Sequence, residues 1–162
     1  MLYLVRHGVA LPTGTPGIAD DDRPLTPEGA RKVREVGRGL AALEVRVDRI
    51  VTSPLPRARR TAAILAQVLG ITDVLEENEV LRAGRSAETI RTWLLGQPER
   101  RMMLVGHDPA FSDLVGLLPT GQVGRPICGL RKGGVACLDK SEGEYWSIVW
   151  IARPRILRRL GG

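Results

Sequence analysis

Aromatic side chains are scarce in this sequence: one phenylalanine, two tyrosines and three tryptophans make up 4% of 162 residues. No aromatic ladder interleaves the basic residues, which argues against a stacking platform for single-stranded nucleic acid. Cysteine is scarcer, with only Cys128 and Cys137. That is too few for a disulfide framework or a four-ligand metal set, so both read as small buried residues in a reducing cytoplasm. Long apolar runs are missing as well. The longest span a few residues, as in Ile148-Val149-Trp150-Ile151-Ala152, far short of a membrane crossing. No basic n-region and apolar h-region precede the first strand, so no secretory signal is expected.

What is present is ordinary for a globular protein, with 43% hydrophobic and 26% charged residues. The length suits one hydrophobic core, and residues 1–162 read as a single domain with a basic tail over residues 153–162. The formal net charge of +6 favours anionic partners, a class that spans phosphorylated proteins, small phosphates and nucleic acid.

Periodicity orders the chain as strands alternating with helices, the pattern of an α/β protein with a mainly parallel sheet. Met1-Leu2-Tyr3-Leu4-Val5 is a buried strand that stops at Arg6-His7-Gly8. Gly8 permits a sharp turn and a close approach to a ligand. After a Gly/Pro-rich connection and the acidic run Asp20-Asp21-Asp22, Thr26 caps a helix with Pro27 in first position. Its apolar positions are Ala30, Val33, Gly37, Leu40 and Leu43. Val47 to Thr52 is a second strand, ending at Ser53-Pro54-Leu55-Pro56-Arg57 and followed by a helix that Gly70 stops. Arg57 sits in that helix's first turn, whereas Arg59 and Arg60 read as solvated.

Asp73-Val74-Leu75 is a further short strand, Glu76 to Arg85 a loop, and Ser86 caps a helix through Leu95. Arg101 to Val105 is a buried strand ending at Gly106-His107-Asp108-Pro109. The helix after it carries Phe111, Leu114, Val115 and Leu118 on one side. Pro119 to Lys132 reads as loop. Gly134 to Leu138 and Tyr145 to Trp150 form an antiparallel hairpin around Lys140-Ser141-Glu142-Gly143. The tail is expected to dock Ile156, Leu157 and Leu160 on the surface.

Three strand ends thus offer Arg6 with His7, Ser53 with Arg57, and His107. Ligands of open α/β sheets bind at the carboxyl ends of strands. If the three ends converge, two guanidiniums and two imidazoles share one crevice, and such a site suits phosphate, whose oxygens match the arginine fork.

These segments, together with Arg23-Pro24-Leu25-Thr26-Pro27-Glu28-Gly29, Thr61 and Lys132-Gly133-Gly134-Val135-Ala136, resemble the histidine phosphatase superfamily. Within it the likeness is to small phosphohistidine phosphatases of the SixA type. The resemblance covers nearly the whole chain and implies the phosphoglycerate-mutase-like fold, a three-layer α/β/α sandwich with an antiparallel edge hairpin. It implies His7 as the nucleophile that forms a phosphohistidine, with Arg6, Arg57 and His107 around the phosphoryl oxygens. Ser53 and Gly8 are secondary phosphate contacts on this basis. Positive neighbours are expected to discourage protonation of His7. Neither a metal nor another cofactor is implied, since the arginines supply positive charge and two histidines make a poor zinc site.

Larger relatives carry a proton-donating carboxylic acid in a Trp-Glu-Gly context, and this sequence has no such tripeptide. Glu79 and Glu88 stand nearby, and a structural or solvated role is favoured for both. An alcohol leaves poorly without a proton donor, whereas an imidazole can be protonated on its ring. The expected function is therefore hydrolysis of protein phosphohistidine or a related phosphoramidate, in the cytoplasm and without nucleic-acid or membrane partners. A phosphomonoesterase or polyphosphate hydrolase is the alternative enzyme, with Asp20, Asp21, Asp22, Glu79 or Glu88 as proton source. A non-catalytic phosphate-binding module and a basic nucleic-acid protein are the readings from other classes. Mutase activity is disfavoured by the missing acid and insertions.

Overall fold

A computed structural model describes residues 1–140 and 145–162. Six strands form one sheet: β1 (Leu2–Arg6), β2 (Arg49–Thr52), β3 (Leu75–Glu77), β4 (Met102–Gly106), β5 (Val135–Lys140) and β6 (Trp146–Ala152). Their order is β3-β2-β4-β1-β5-β6, parallel from β3 to β1 and antiparallel through β5 and β6. The hairpin at the edge is present, and most of its turn, from Ser141 on, lies outside the described residues.

The two faces of β1 decide the layering. Successive side chains of a strand point to opposite faces. Tyr3 and Val5 accordingly join a core with α1 (Pro27–Ala42), α2 (Pro56–Leu69) and α5 (Pro154–Leu160). Leu2 and Leu4 join a second core with α3 (Ala87–Leu95) and α4 (Ala110–Thr120). Helices thus cover both faces, which is why the central strands read as unbroken apolar runs.

Local signals set most of the ends. Thr26 Oγ1 accepts from the Gly29 N–H at 2.9 Å, Ser86 caps α3 through Thr89 N–H, and Gly70 and Gly121 close α2 and α4 in the left-handed conformation. Elsewhere the structure departs from the sequence expectation. The third strand is Leu75–Glu77, because Thr72–Val74 winds into a 3₁₀ turn first. Glu79–Leu81 is a 3₁₀ turn capped by the Asn78 side chain rather than open loop. α4 runs through Pro119 to Thr120, and the left-handed Gly121 is what stops it. Leu43 is exposed beyond the end of α1, and Val36 takes the buried place.

The tail is helical, and only Leu157 of its apolar residues is buried; Ile156 and Leu160 are half-exposed. Helical geometry puts Ile156 and Leu160 on one face and turns Leu157 away from them. α5 lies close on α1, because a Cβ at Gly39 would stand 2.0 Å from the Leu157 carbonyl oxygen. No helix among the described residues is long and apolar enough to cross a membrane.

Leu157 is the one side chain of α5 in the core, so Leu157→Ala is expected to cost about 2–5 kcal/mol of stability. Urea unfolding monitored by circular dichroism measures it; an unchanged midpoint would show that α5 contributes no packing energy.

Candidate active site

Register brings the site together. β1 and β4 are parallel with Arg6 opposite Gly106, and β2 pairs β4 with Thr52 opposite Val105. The next residue on each strand therefore emerges on the same line: His7 N–H donates to Gly106 O at 3.0 Å and Ser53 N–H to Val105 O at 2.9 Å. The His7 and His107 rings lie 5.1 Å apart between centroids. Arg57, 3% exposed, enters from the first turn of α2. Thr61 Oγ1 donates to Arg57 O (2.7 Å) and accepts from Gly8 N–H (3.0 Å), which ties α2 to the end of β1.

His7 Nδ1 lies 2.7 Å from the Gly8 carbonyl oxygen. A carbonyl only accepts, so Nδ1 carries the hydrogen and Nε2 holds the free lone pair. Burial pushes the His7 pKa down to about 3, aided by His107, Arg57 and Arg6 and opposed by the Gly8 hydrogen bond. Desolvation, rather than the positive neighbours the sequence suggested, is the largest cause. His107 is lowered to about 4, again mainly by burial and then by Arg57, Arg6 and Arg23. Both imidazoles are neutral at pH 7. Ser53 Oγ accepts from Leu55 N–H at 3.3 Å and lies 2.8 Å from His107 Nε2.

Gly8 is required by space. It has no positive φ, but a Cβ there would come within 2.5 Å of Val33 Cγ2.

The guanidiniums are held by their ends. Arg6 Nη1 donates to Asp108 Oδ2 (3.1 Å) and to Leu130 O (2.6 Å). Asp108 Oδ1 accepts from Ser112 Oγ (2.9 Å), and that oxygen accepts from Leu130 N–H (2.9 Å), closing a ring of hydrogen bonds. Arg57 Nη1 donates to the carbonyls of Asp20 (2.9 Å) and Asp21 (3.4 Å). The Nε groups of Arg6 and Arg57 are buried and have no protein partner. Buried N–H donors are almost always satisfied. An oxyanion bound beside them would offer acceptors of the kind these two donors lack.

Two further groups belong here that strand and helix patterns did not single out. Arg23, buried, grips both carboxylate oxygens of Asp20 (2.8 and 3.2 Å) and the Leu11 carbonyl (2.6 Å). Burial lowers Arg57 and His107 most, and the Arg23 charge adds to it. Its signal was its place in Arg23-Pro24-Leu25-Thr26. The 3₁₀ turn Asp20–Asp22 does reach the site, with Asp20 on Arg57 and Arg23, and Asp21 bound to Arg82 at 2.5 Å. Beside His107 and Asp108 opens a cleft of about 260 Å³ floored by Leu81, Ile90 and Phe111. Glu88 lines it. Glu79 is exposed and pairs with Arg82 at 3.5 Å.

The arrangement, an imidazole with a free nitrogen lone pair beside buried cationic donors, suits transfer of a phosphoryl group to nitrogen. Comparison with known proteins gives the family and the fold. The family model for the histidine phosphatase superfamily (branch 1) matches residues 2–83. An uncharacterised protein of Picosynechococcus is 34% identical over 138 residues, 83% of this chain and 81% of its own. A probable phosphoglycerate mutase, GpmB, of Cronobacter sakazakii is 38% identical over 149 residues, 88% of this chain, which spans 65% of that mutase. The solved structure of the protein histidine phosphatase SixA with tungstate superposes with a TM-score of 0.83 at 22% identity, over 96% of this chain and 98% of that one.

The depressed histidines make stability depend on pH. The unfolded chain binds their protons below about pH 6.5, whereas the folded chain resists to about pH 4 for His107 and about pH 3 for His7. Stability is therefore full above pH 6.5 and falls as pH drops toward those values, by a loss on the order of a few kcal/mol. Urea midpoints at pH 7, 5.5 and 4.5 should fall less steeply in the His7→Gln/His107→Gln double variant; equal slopes would contradict the burial of neutral imidazoles.

Proposed function

Because the chain belongs to the histidine phosphatase superfamily, we propose that it hydrolyses phosphohistidine on proteins, or a related phosphoramidate, through a phosphohistidine intermediate on His7. The observation that carries this reading is the pair of buried, acceptorless Nε groups of Arg6 and Arg57 next to an imidazole whose Nε2 is unprotonated. On this reading residues 1–162 are one domain working in the cytoplasm, and the guanidiniums supply the positive charge that a metal would otherwise bring.

His7 Nε2 attacks phosphorus; a nitrogen–phosphorus bond forms as the bond to the leaving nitrogen breaks, and that imidazole, whose other ring nitrogen has already taken a proton from solvent, departs neutral with the bonding pair on the released nitrogen. Water then attacks the phosphorylated His7, releasing phosphate and the free imidazole. Arg6 and Arg57 neutralise the charge spread over the equatorial oxygens. Ser53 Oγ accepts from Leu55 N–H and lies 2.8 Å from His107 Nε2; in the tautomer in which the hydroxyl donates to Nε2, His107 Nδ1–H is left as a donor to a phosphoryl oxygen. Ser53 then orients His107. The cleft beside His107 receives the leaving group. Its apolar floor suits a flat ring.

Glu88 in the wall of that cleft favours a second reading, a phosphomonoesterase in which this carboxyl protonates an alkoxide. The two differ in leaving-group preference and in sensitivity to Glu88→Gln.

Wild type incubated with labelled phosphoramidate should trap an acid-labile, alkali-stable phosphoenzyme. His7→Ala should not trap label and should lose at least about a thousandfold in turnover. Arg57→Ala is expected to lower kcat/KM about 10²–10³-fold. No label on wild type, with phosphate binding intact, would defeat the catalytic reading. Alkyl-phosphate turnover rivalling that of phosphoramidate and lost in Glu88→Gln would shift it to the monoesterase.

A further inference from the structure

The four arginines of residues 153–162, with no acidic residue in that stretch, account for +4 of the formal net charge of +6. α5 does not scatter them. Arg155 and Arg159 stand one turn apart, and together with Arg158 they face Arg31 and Arg38 of α1 across a cleft of about 650 Å³. Among the side chains that line that cleft the one carboxylate is Glu35, and it is already shared between Arg31 and Arg158. Arg38, Arg155 and Arg159 have no carboxylate partner among the described residues. Five guanidiniums meet two carboxylates here, Glu35 and, 3.8 Å from Arg31, Glu28; the excess positive charge repels itself, and the close seating of Leu157 on Gly39 holds the two helices together regardless. A rigid concave surface of this kind concentrates anions.

We propose that the α1–α5 cleft is a second anion site, which binds acidic segments of the same protein whose phosphohistidine is hydrolysed at His7. This rests on the function proposed above. Three observations favour an acidic polypeptide over nucleic acid or small anions. No aromatic side chain lines the cleft, so bases have nothing to stack on. Ile156 and Leu160, 50% and 48% exposed, flank Arg155 and Arg159 on the same helix, and this mixture of apolar and cationic surface matches a carboxylate-bearing peptide with side chains of its own. The cleft is also joined to the active site: α5 starts at Pro154, which lies against Gly133, and Gly133 N–H bonds the carbonyls of both Arg6 and His7. On this proposal a protein lies on α5 while one of its histidines reaches the strand ends. A small phosphoramidate cannot, so the cleft acts on the macromolecular substrate alone.

The probe is a fluorescein-labelled octaglutamate peptide, titrated by anisotropy at about 50 mM salt against wild type and the charge-reversed Arg38→Glu/Arg155→Glu/Arg159→Glu variant. Binding is expected to weaken at least tenfold in the variant, while its phosphoramidate turnover stays at the wild-type level and certifies the fold. In parallel, two synthetic phosphohistidine peptides are compared, one flanked by glutamates and one by glutamines. Wild type should favour the acidic peptide about tenfold in kcat/KM, and the variant should show no preference. Equal octaglutamate binding by wild type and variant, or a preference that survives in the variant, overturns the proposal. So does tighter binding of a single-stranded oligonucleotide of matched charge that the variant loses, which would make the cleft a nucleic-acid site. If wild type hydrolyses neither phosphopeptide nor phosphoramidate, the catalytic reading falls and with it the substrate clause, whereas peptide binding lost in the variant still supports the cleft.

Discussion

Parallel pairing through β4 constrains everything around the site. With Arg6 opposite Gly106 and Thr52 opposite Val105, three segments far apart in sequence stop on a common line, and whatever follows each strand meets its neighbours there. Slipping one pair by a residue would carry an imidazole to the other face of the sheet and exchange Tyr3 and Val5 for Leu2 and Leu4 in the two cores. The packing that stabilises the sheet is thus the same packing that fixes the distance between His7 and His107. Function and fold cannot vary independently in these strands.

Positive charge crowded into a partly dry crevice is costly unless part of it is balanced. Here it is balanced by few groups: the Asp20 carboxylate on Arg23, backbone carbonyls on Arg57, and Asp108 on Arg6. The imidazoles contribute by being neutral, which burial enforces. The His7 Nε2 lone pair is consequently free because it is buried among cations, and at Arg6 and Arg57, unlike Arg23, carbonyls and carboxylates satisfy only the outer nitrogens.

Much of this was legible in the sequence. Strands such as Leu2–Arg6 and Met102–Gly106 announce themselves as apolar runs that end on chemistry-bearing residues, and long helices with caps and a buried stripe, such as α1 and α2, follow from spacing. The parts that escaped have common physical causes. Arg23 and Asp20 are named from the sequence but not placed by it: they sit on a loop that folds back over the strand ends, and loops carry no periodicity to reveal where they go. The edge strand β3 and the seven-residue α5 are shorter than the windows over which patterns become distinct. That burial outweighs neighbouring charge at His7 depends on how completely the surrounding layers close, a property of packing rather than of order along the chain.

Arg57 is gripped on one nitrogen by the carbonyl oxygens of Asp20 and Asp21. A resting guanidinium so engaged is no bare charge awaiting any passing halide; an arriving ion must compete with dipoles already in position. A spherical monovalent ion can offer one point of contact and gains little by that exchange. A tetrahedral dianion would offer several acceptors at once, so a guanidinium held in this way favours shape and valence together.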